Sequence, residues 1–330
     1  MKSLTAFLKS VAIAATLWAG TAGAHAQETR EFTAENGTFT IPVQPQRIVA
    51  LNDQILTLPL YEMGAPVAGS AGRLDADGNA FLRGGMDTLG IDFANTDIEF
   101  VGLFNDLDVE AIAALEPDLI VGGVYNDAAV IEQLQAVAPT LVINNGELGL
   151  VGTLRTLADV SGTGRAFEAR YARYLGNVER LKSFLGDPSA ISATLTFMFP
   201  EGEELWVYKS GLGAISQVLT DLGISRPAAV EAFEEPQISY SAELIQDLDA
   251  DFVFGFYRQQ PDATPQTIRA AYEKFAPGWC QALTACQNGQ FILLPGPSFG
   301  SAMASLDLAL EMVEAHMAGR PFTPFEGNAQ

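Results

Sequence analysis

Short apolar runs alternate with helical patterns along the first half of this chain. Strands are predicted for RIVALN at 47–52, PVAGSAG at 66–72, IEFVG at 98–102, DLIVGG at 118–123 and TLVINN at 140–145. Helices are predicted between them, at 55–64, 108–115 and 129–138. Because consecutive parallel strands are joined by crossovers that are usually helical, the alternation predicts a parallel sheet covered by helices.

The same alternation resumes in the second half, after one long amphipathic helix predicted at 164–186. The apolar stripe of that helix consists of Ala166, Tyr171, Tyr174, Leu175, Val178, Leu181 and Phe184. Further strands are predicted at 193–199, 205–210, 251–256 and 289–295, and helices at 213–223, 264–276 and 301–319. The predicted fold class is α/β, with two Rossmann-like lobes that each carry a parallel sheet and are joined by the single long helix.

One segment of the first half recurs in the second half. DVEAIAALEPDLIVGG at 108–123 aligns with SAELIQDLDADFVFGF at 241–256, so that Glu110 corresponds to Glu243. Each copy predicts a short helix with an acidic first turn, a two-residue turn and a buried strand. A unit that recurs once, far along the chain, indicates two similar lobes with a ligand cleft between them.

The chain begins with the features of a secretory signal peptide, predicted at 1–26. Lys2 and Lys9 give a positive start, an apolar run follows, and Ala24-His25-Ala26 forms a small-x-small cleavage site. The apolar run is too short to cross a bilayer. We therefore predict an exported protein that is cleaved after Ala26.

The remainder of the chain divides into three predicted parts. They are an N-terminal lobe at 27–163, the connecting helix at 164–186 and a C-terminal lobe at 187–330. A length of this order exceeds what one core usually supports and fits two domains.

Charge and cysteine content narrow the partners. The formal net charge is −22, which excludes binding of nucleic acid or anionic lipid through bulk electrostatics. If the ligand is an anion, the few basic residues must be concentrated where it binds. Cys280 and Cys286 are the only cysteines, and after export such a close pair predicts a disulfide. A metal site is the alternative, although no histidine lies beside them.

Three stretches resemble one family of exported proteins. Residues 45–72, PQRIVALNDQILTLPLYEMGAPVAGSAG, are similar to its opening segment, and 101–123, VGLFNDLDVEAIAALEPDLIVGG, to its most recognisable stretch. LTACQNGQFILLP at 283–295 is similar to its C-terminal strand entry. Over roughly residues 38–320 the chain resembles the periplasmic substrate-binding proteins of ABC importers for iron–siderophore complexes, haem and vitamin B12.

The resemblance implies a location, a ligand and partners. It implies a periplasmic monomer whose two lobes close to a limited extent on a ligand, and which delivers that ligand to an inner-membrane ABC permease. The expected ligand is a chelated iron(III) complex, a ferric siderophore of anionic catecholate or citrate type, and no resident cofactor is expected. Within the family, GNAFLRGG at 78–85 looks closest to catecholate-siderophore binders.

Candidate ligand contacts follow from strand polarity, because ligands of open α/β sheets bind beyond the carboxyl ends of the strands. The loops there, with the resemblance for Arg83, give a basic set of Arg73, Arg83, Lys209 and Arg258 and an aromatic set of Tyr125, Tyr208, Tyr257 and Phe299. Arginine suits an anionic aromatic chelate because its planar fork binds oxygens in pairs and stacks on rings. Tyr208 and Lys209 could instead belong to a surface hairpin. The repeat places Tyr125 opposite Arg258.

Glu110 and Glu243 occupy the first turns of the two repeated helices. Acidic residues favour this position through the helix dipole, at about 0.3–1 kcal/mol. The resemblance implies a second role, in which one glutamate of each lobe forms salt bridges with arginines of the permease. We therefore expect both to lie outside the ligand pocket.

Other functions are weighed against this one. Haem remains an alternative, with Tyr125 or Tyr257 as iron ligand, and so does a corrinoid. Capture of a bare metal ion is disfavoured, because His316 is the only histidine after the predicted signal peptide. An exported α/β hydrolase is suggested by Gly296-Pro297-Ser298-Phe299-Gly300, a G-x-S-x-G motif. His316 lies roughly 20 Å along the same predicted helix, too far to serve as base for Ser298, so no enzymatic activity is predicted.

Overall fold

The computed structural model describes residues 27–258 and 263–329, so the predicted signal peptide lies outside the described residues. The strands are β1 Thr29–Ala34, β2 Gly37–Pro42, β3 Ile48–Ala50, β4 Val67–Leu74, β5 Ala80–Phe81, β6 Glu99–Leu103, β7 Asp106–Leu107, β8 Leu119–Gly123, β9 Thr140–Ile143, β10 Ala193–Met198, β11 Leu205–Tyr208, β12 Gln237–Tyr240, β13 Phe252–Tyr257 and β14 Phe291–Pro295.

The helices are α1 Leu58–Glu62, α2 Gly85–Leu89, α3 Val109–Ala114, α4 Ala128–Gln135, α5 Asn145–Val160, α6 Gly164–Leu185, α7 Gly213–Leu222, α8 Ala228–Glu231, α9 Pro265–Phe275, α10 Trp279–Ala282, α11 Thr284–Gln287 and α12 Met303–Val313. A short π-helix at Asp53–Thr57 leads into α1, and the 3-10 helices include Ala242–Leu248 and Gly296–Phe299. In the part of the chain that is described, no helix is long and apolar enough to cross a membrane.

The first sheet has the strand order β7-β6-β4-β3-β8-β9, with β5 paired to β4. The five strands from β6 to β9 in that order are mutually parallel, as the sequence predicts. A hairpin of β1 and β2, which the sequence analysis did not predict, packs beside the edge strand β9, and Glu35 N donates to Val142 O at 3.1 Å. The hairpin therefore covers an edge that would otherwise be open to pairing.

The second sheet is mixed, so the prediction of a parallel sheet is wrong for part of it. Its order is β12-β11-β10-β13-β14. Strands β10, β13 and β14 are parallel, whereas β11 runs antiparallel to both β10 and β12. The connection at 199–204 is too short for the dozen or more residues that a parallel crossover requires, so β10 and β11 form a hairpin.

The long helix α6 lies where the sequence predicts it, and one buried core runs from the first sheet through α6 to the second sheet. That core includes Leu119 of β8, Phe167 and Tyr174 of α6, and Phe252 of β13. The predicted α/β class with two sheets and one long connecting helix is confirmed, while the division into lobes at 163 and 187 stays a prediction. The disulfide between Cys280 and Cys286 is present and joins α10 to α11.

Candidate functional site

The carboxyl ends of parallel strands from both sheets open onto one cleft of about 490 Å³. The first wall, from the first sheet and its loops, consists of Gln54, Leu58, Arg73, Leu74, Phe81, Arg83, Gly84, Asp87 and Thr88. The second wall consists of Phe197, Arg258, Gly296, Pro297, Phe299, Gly300, Ser301 and Ser305. The cleft thus brings together four of the eight predicted contacts, namely Arg73, Arg83, Arg258 and Phe299.

Arg73 stands near the end of β4, where Arg73 pairs with Phe81 of β5. Its guanidinium carbon lies 4.0 Å from the ring centre of Phe104, a cation–π distance. Burial, followed by repulsion from Arg83, lowers the pKa of Arg73. An arginine keeps its charge at neutral pH in spite of such a shift. Arg73 therefore presents a positive charge to the cleft from a side chain that is kept in place by its contact with Phe104.

Arg83 is fixed by Asp53, a residue that the sequence analysis did not single out. The Arg83 amide donates to Asp53 Oδ2 at 2.9 Å, and Arg83 Nη2 lies 3.4 Å from Asp53 Oδ1. The Asp53 side chain has no exposed surface. Asn52 accepts a hydrogen bond from the Ile55 amide at 2.9 Å and so caps the turn that holds Asp53. Asp53 follows a predicted buried strand, which is the signal that could have identified it.

Arg258 and Phe299 form the opposite, more aromatic wall. The Arg258 guanidinium carbon lies 5.6 Å from the ring centre of Phe197. Phe299 meets the ring of Phe256 edge-to-face at 4.9 Å and that of Phe197 at 5.9 Å. Gly213 approaches the Phe299 carbonyl so closely that an added Cβ would overlap it, so this turn requires glycine. The wall offers one cation beside a packed aromatic surface.

Tyr208 and Lys209 do not reach the cleft. Tyr208 pairs with Leu195 of β10, so the end of the antiparallel β11 points away from the edge at which β10 ends. Lys209 Nζ instead donates to the backbone carbonyls of Glu231 at 2.7 Å and Phe233 at 3.2 Å. The rule that loops after strands face the ligand applies to the parallel strands of this sheet, and β11 is not one of them.

Tyr257 and Tyr125 also lie outside the cleft lining. Tyr257 alternates with Phe256 along β13 and packs against the core cluster on the opposite face of the sheet, which includes Ile268 of α9. Tyr125 packs its ring over Gly123. Burial, followed by the negative charge of Asp53, raises the pKa of Tyr125. The neutral phenol is therefore favoured.

Glu110 and Glu243 are both exposed. Glu110 lies in the first turn of α3, and Glu243 lies in the first turn of the 3-10 helix Ala242–Leu248. Neither lines the cleft. Ser241 Oγ donates to the Glu243 carboxylate, and this hydrogen bond lowers the pKa of Glu243. The structure thus leaves both carboxylates on the surface, where a partner could reach them.

The G-x-S-x-G loop presents no accessible nucleophile. Ser298 is fully buried, and its hydroxyl has no hydrogen-bond partner among the described residues. Pro297, Phe299 and Gly300 of the same loop line the cleft. Within the described residues, no cluster of three or more His, Cys, Asp or Glu side chains could hold a metal ion.

Comparison with known proteins identifies the class to which this fold and cleft belong. The family model for periplasmic binding proteins matches residues 91–297. The chain therefore belongs to the periplasmic binding protein family, as the sequence resemblance predicts, and this is a family of binding proteins and not of enzymes.

Individual relatives are similar at a moderate level. The chain is 28% identical over 246 residues to the probable siderophore-binding lipoprotein YfiY of Bacillus subtilis, covering 72% of this chain and 70% of that one. It is 28% identical to the ferric enterobactin-binding periplasmic protein FepB of Escherichia coli, over 71% of this chain and 76% of that one. The solved siderophore periplasmic binding protein from the fuscachelin gene cluster of Thermobifida fusca superimposes with a TM-score of 0.64 at 27% identity, covering 85% and 99%.

Proposed function

We propose that this protein captures an anionic ferric siderophore, of catecholate or citrate type, in the cleft and delivers it in the periplasm to an ABC permease. The observation that carries the proposal is the convergence of Arg73, Arg83 and Arg258 on one cavity in a chain of net charge −22. Relatives named for siderophore binding support a siderophore as the ligand, and the charges of the cleft support an anionic one.

The charges in the cleft favour an anion. Among the described residues, Arg83 is the one cleft arginine with a carboxylate partner, the buried Asp53. The Nε atoms of Arg73 and Arg83 are buried without a hydrogen-bond partner in the same part of the chain. A buried donor left unpaired costs about 1–3 kcal/mol. Because neither Nε atom is exposed to the cleft, an anionic chelate would be attracted by the charge of the guanidinium groups and not by these two donors.

The shape and the aromatic surface fit a chelate better than a bare ion. A volume of about 490 Å³ lies within the range of small-molecule pockets. Phe197 and Phe299 provide apolar surface next to Arg258. Iron would therefore arrive already chelated, and the protein would supply charge, aromatic contact and shape.

Delivery requires a surface that a permease can recognise. Glu110 and Glu243 occupy equivalent positions in the two copies of the repeat, and both are exposed. Arginines of a permease would pair with the two carboxylates at once. The proposal therefore assigns ligand capture to the cleft and docking to the two glutamates, with the protein acting as a monomer.

Titration tests the ligand class. Purified protein lacking residues 1–26 would be titrated with a ferric tris-catecholate, ferric citrate, a cationic ferric hydroxamate, haem and cobalamin, following tryptophan fluorescence. We expect micromolar or tighter binding of an anionic complex and at least tenfold weaker binding of the cationic one. Failure to bind any of the five would overturn the proposal, and preference for haem or cobalamin would replace it with the alternative ligand.

A pair of variants links the result to the cleft. Arg73→Ala removes a cleft cation, whereas Arg155→Ala removes a cation of equal charge that pairs with Glu168 on the outer surface. We expect only the first to weaken binding of the anionic complex. Equal affinities for the two variants would show that the ligand binds elsewhere.

A further inference from the structure

Three separate parts of the chain meet at Glu62, the last residue of α1. Its carboxylate accepts hydrogen bonds from the first two amides of α12, Met303 N at 2.7 Å and Ala304 N at 2.8 Å. Arg170 Nη2 of the long helix α6 lies 2.8 Å from Glu62 Oε1. Only 5% of the Glu62 side chain is exposed, so the junction is sheltered from water.

Both helices that meet at Glu62 lead directly into the cleft. Helix α1 begins at Leu58, which belongs to the first wall. Helix α12 begins at Met303, two residues after Ser301 of the second wall. Glu62 therefore joins the two walls from behind, about one helical turn from the residues that line the cavity.

Arg170 connects the same two sides a second time. Besides Glu62, its Nη2 approaches Asp307 Oδ2 of α12 at 3.8 Å. Burial raises the pKa of Glu62, in spite of the opposing attraction of Arg170 and the two amide hydrogen bonds. A buried ion pair of this kind gives little stability by comparison with apolar packing, and its best-attested use is to specify a geometry.

We propose that Glu62 is a positioning residue, which holds the second wall at a fixed separation from the first. Arg258 and Phe299 of the second wall therefore face the two arginines of the first wall before the ligand arrives. The inference rests on the proposed function, because the cleft is taken as the ligand site. The apparent affinity of a ligand is reduced when only a fraction of the protein molecules is in the binding-competent arrangement. If that arrangement is already populated before binding, this reduction is avoided.

The separation of the walls can be measured without any ligand. Spin labels on Gln133→Cys of α4 and Gln266→Cys of α9, two exposed positions on opposite sides, would report the distance between the sheets by pulsed electron paramagnetic resonance. We expect Glu62→Ala and Glu62→Gln to broaden the distance distribution. Glu62→Gln keeps the side-chain volume and one acceptor oxygen, so it decides the outcome if Glu62→Ala fails to fold.

Two arginines of the same helix provide a matched comparison. Arg170→Met removes the ion pair with Glu62, whereas Arg180→Met removes the pair with Glu314, which follows α12 and does not involve the first sheet. We expect the first variant to broaden the distribution and the second to leave it unchanged. Unchanged distributions in folded Glu62 and Arg170 variants would overturn the inference.

Ligand affinity separates this inference from the proposed function. If one tenth of Glu62→Gln molecules retain the competent arrangement, the anionic ferric complex binds about tenfold more weakly. Saturating ligand should then restore the narrow distribution. Arg73→Ala should weaken binding without broadening it. If the unaltered protein binds no ferric complex but Glu62→Gln broadens the distance distribution, the proposed function is wrong. The inference that Glu62 fixes the separation of the two walls would still hold.

Discussion

The two copies of the repeated segment each contain an aspartate at the equivalent position, and the two aspartates make the same kind of contact. The copies differ in the residue that follows the strand. Asp118 accepts hydrogen bonds from Gln46 N at 2.7 Å and Arg47 N at 2.9 Å, just before β3. Asp251 accepts one from Ser192 N at 2.7 Å, just before β10. In both halves the aspartate therefore ties the repeated strand to the start of the parallel strand beside it.

Beyond the strands the copies diverge. Arg258 enters the cleft, whereas its counterpart Tyr125 packs over Gly123 and stays outside the lining. The first wall draws its cations from Arg73 and Arg83 instead. The repeated segment therefore forms the same scaffold in both halves, whereas the chemistry of the cleft resides in positions that the two copies do not share.

The largest expected difference between the copies concerns stability. Asp251 is 2% exposed and also accepts a hydrogen bond from Phe325 N at 2.6 Å, whereas Asp118 is half-buried. Asp251→Ala removes the acceptor of several hydrogen bonds and should lower the free energy of unfolding by about 3 kcal/mol, against about 1 kcal/mol for Asp118→Ala. Urea unfolding of both variants measures this, and equal losses would contradict the unequal burial.

The next difference concerns binding. Arg258→Ala should weaken binding of an anionic ferric complex about tenfold or more, because it removes a charged hydrogen-bond donor, each such bond being worth about 1.5–3 kcal/mol. Tyr125→Phe should change the affinity less than about twofold, since the phenol lies outside the lining. Fluorescence titration of the two variants compares them directly. A larger effect of Tyr125→Phe would show that the copies contribute alike.

The two halves of the protein should contribute equally to docking on the permease, in contrast to their unequal contributions to ligand binding. Glu110→Ala and Glu243→Ala should each leave ligand affinity unchanged, because both carboxylates lie outside the cleft. Each should reduce uptake into cells that carry the matching permease, and by a similar factor. Uptake of radioactive iron and titration of the purified variants would test both statements. Normal uptake with both glutamates replaced would refute the docking role.

The smallest expected effect concerns the pH dependence of Glu243. The hydrogen bond from Ser241 lowers the pKa of Glu243 from 4.5. Since a lowered pKa means that the folded protein binds the proton less tightly, the associated stabilisation is present above pH 4.5 and is lost as the pH falls through the folded value. Carboxyl NMR titration should show this shift in the unaltered protein. In the Ser241→Ala variant the midpoint should rise, because the largest cause of the lowered pKa is removed, and an unaltered midpoint would refute the cause.

Much of the architecture could be predicted from local pattern. The alternation of strands and helices and the long amphipathic stripe predicted the α/β class and α6, because both depend on periodicity within short windows. Apolar runs carry no direction, so they led to the wrong direction for β11, which only the short connection at 199–204 signals. That error also explains why Tyr208 and Lys209 were expected in the cleft.

The candidate site was predictable to the extent that strand direction was. Arg73 lies near the end of one parallel strand and Arg258 directly follows another, and the structure brings both into the cleft. Asp53 was missed because its role depends on the loop around Arg83, far along the chain. Glu62 was missed because its partners Arg170 and Met303 come from two distant helices, and their proximity is a property of the packed molecule.

By itself, the sequence determined the α/β class, the duplicated scaffold, the close cysteine pair and the family, since each is written in local periodicity or in short motifs. Only the tertiary structure decided which arginines share one cavity, which tyrosines turn to the opposite face of a sheet, and how Glu62 joins the two walls. The physical reason is that burial and charge pairing depend on distances between residues that are remote in the chain, and those distances exist only once both sheets have packed around α6.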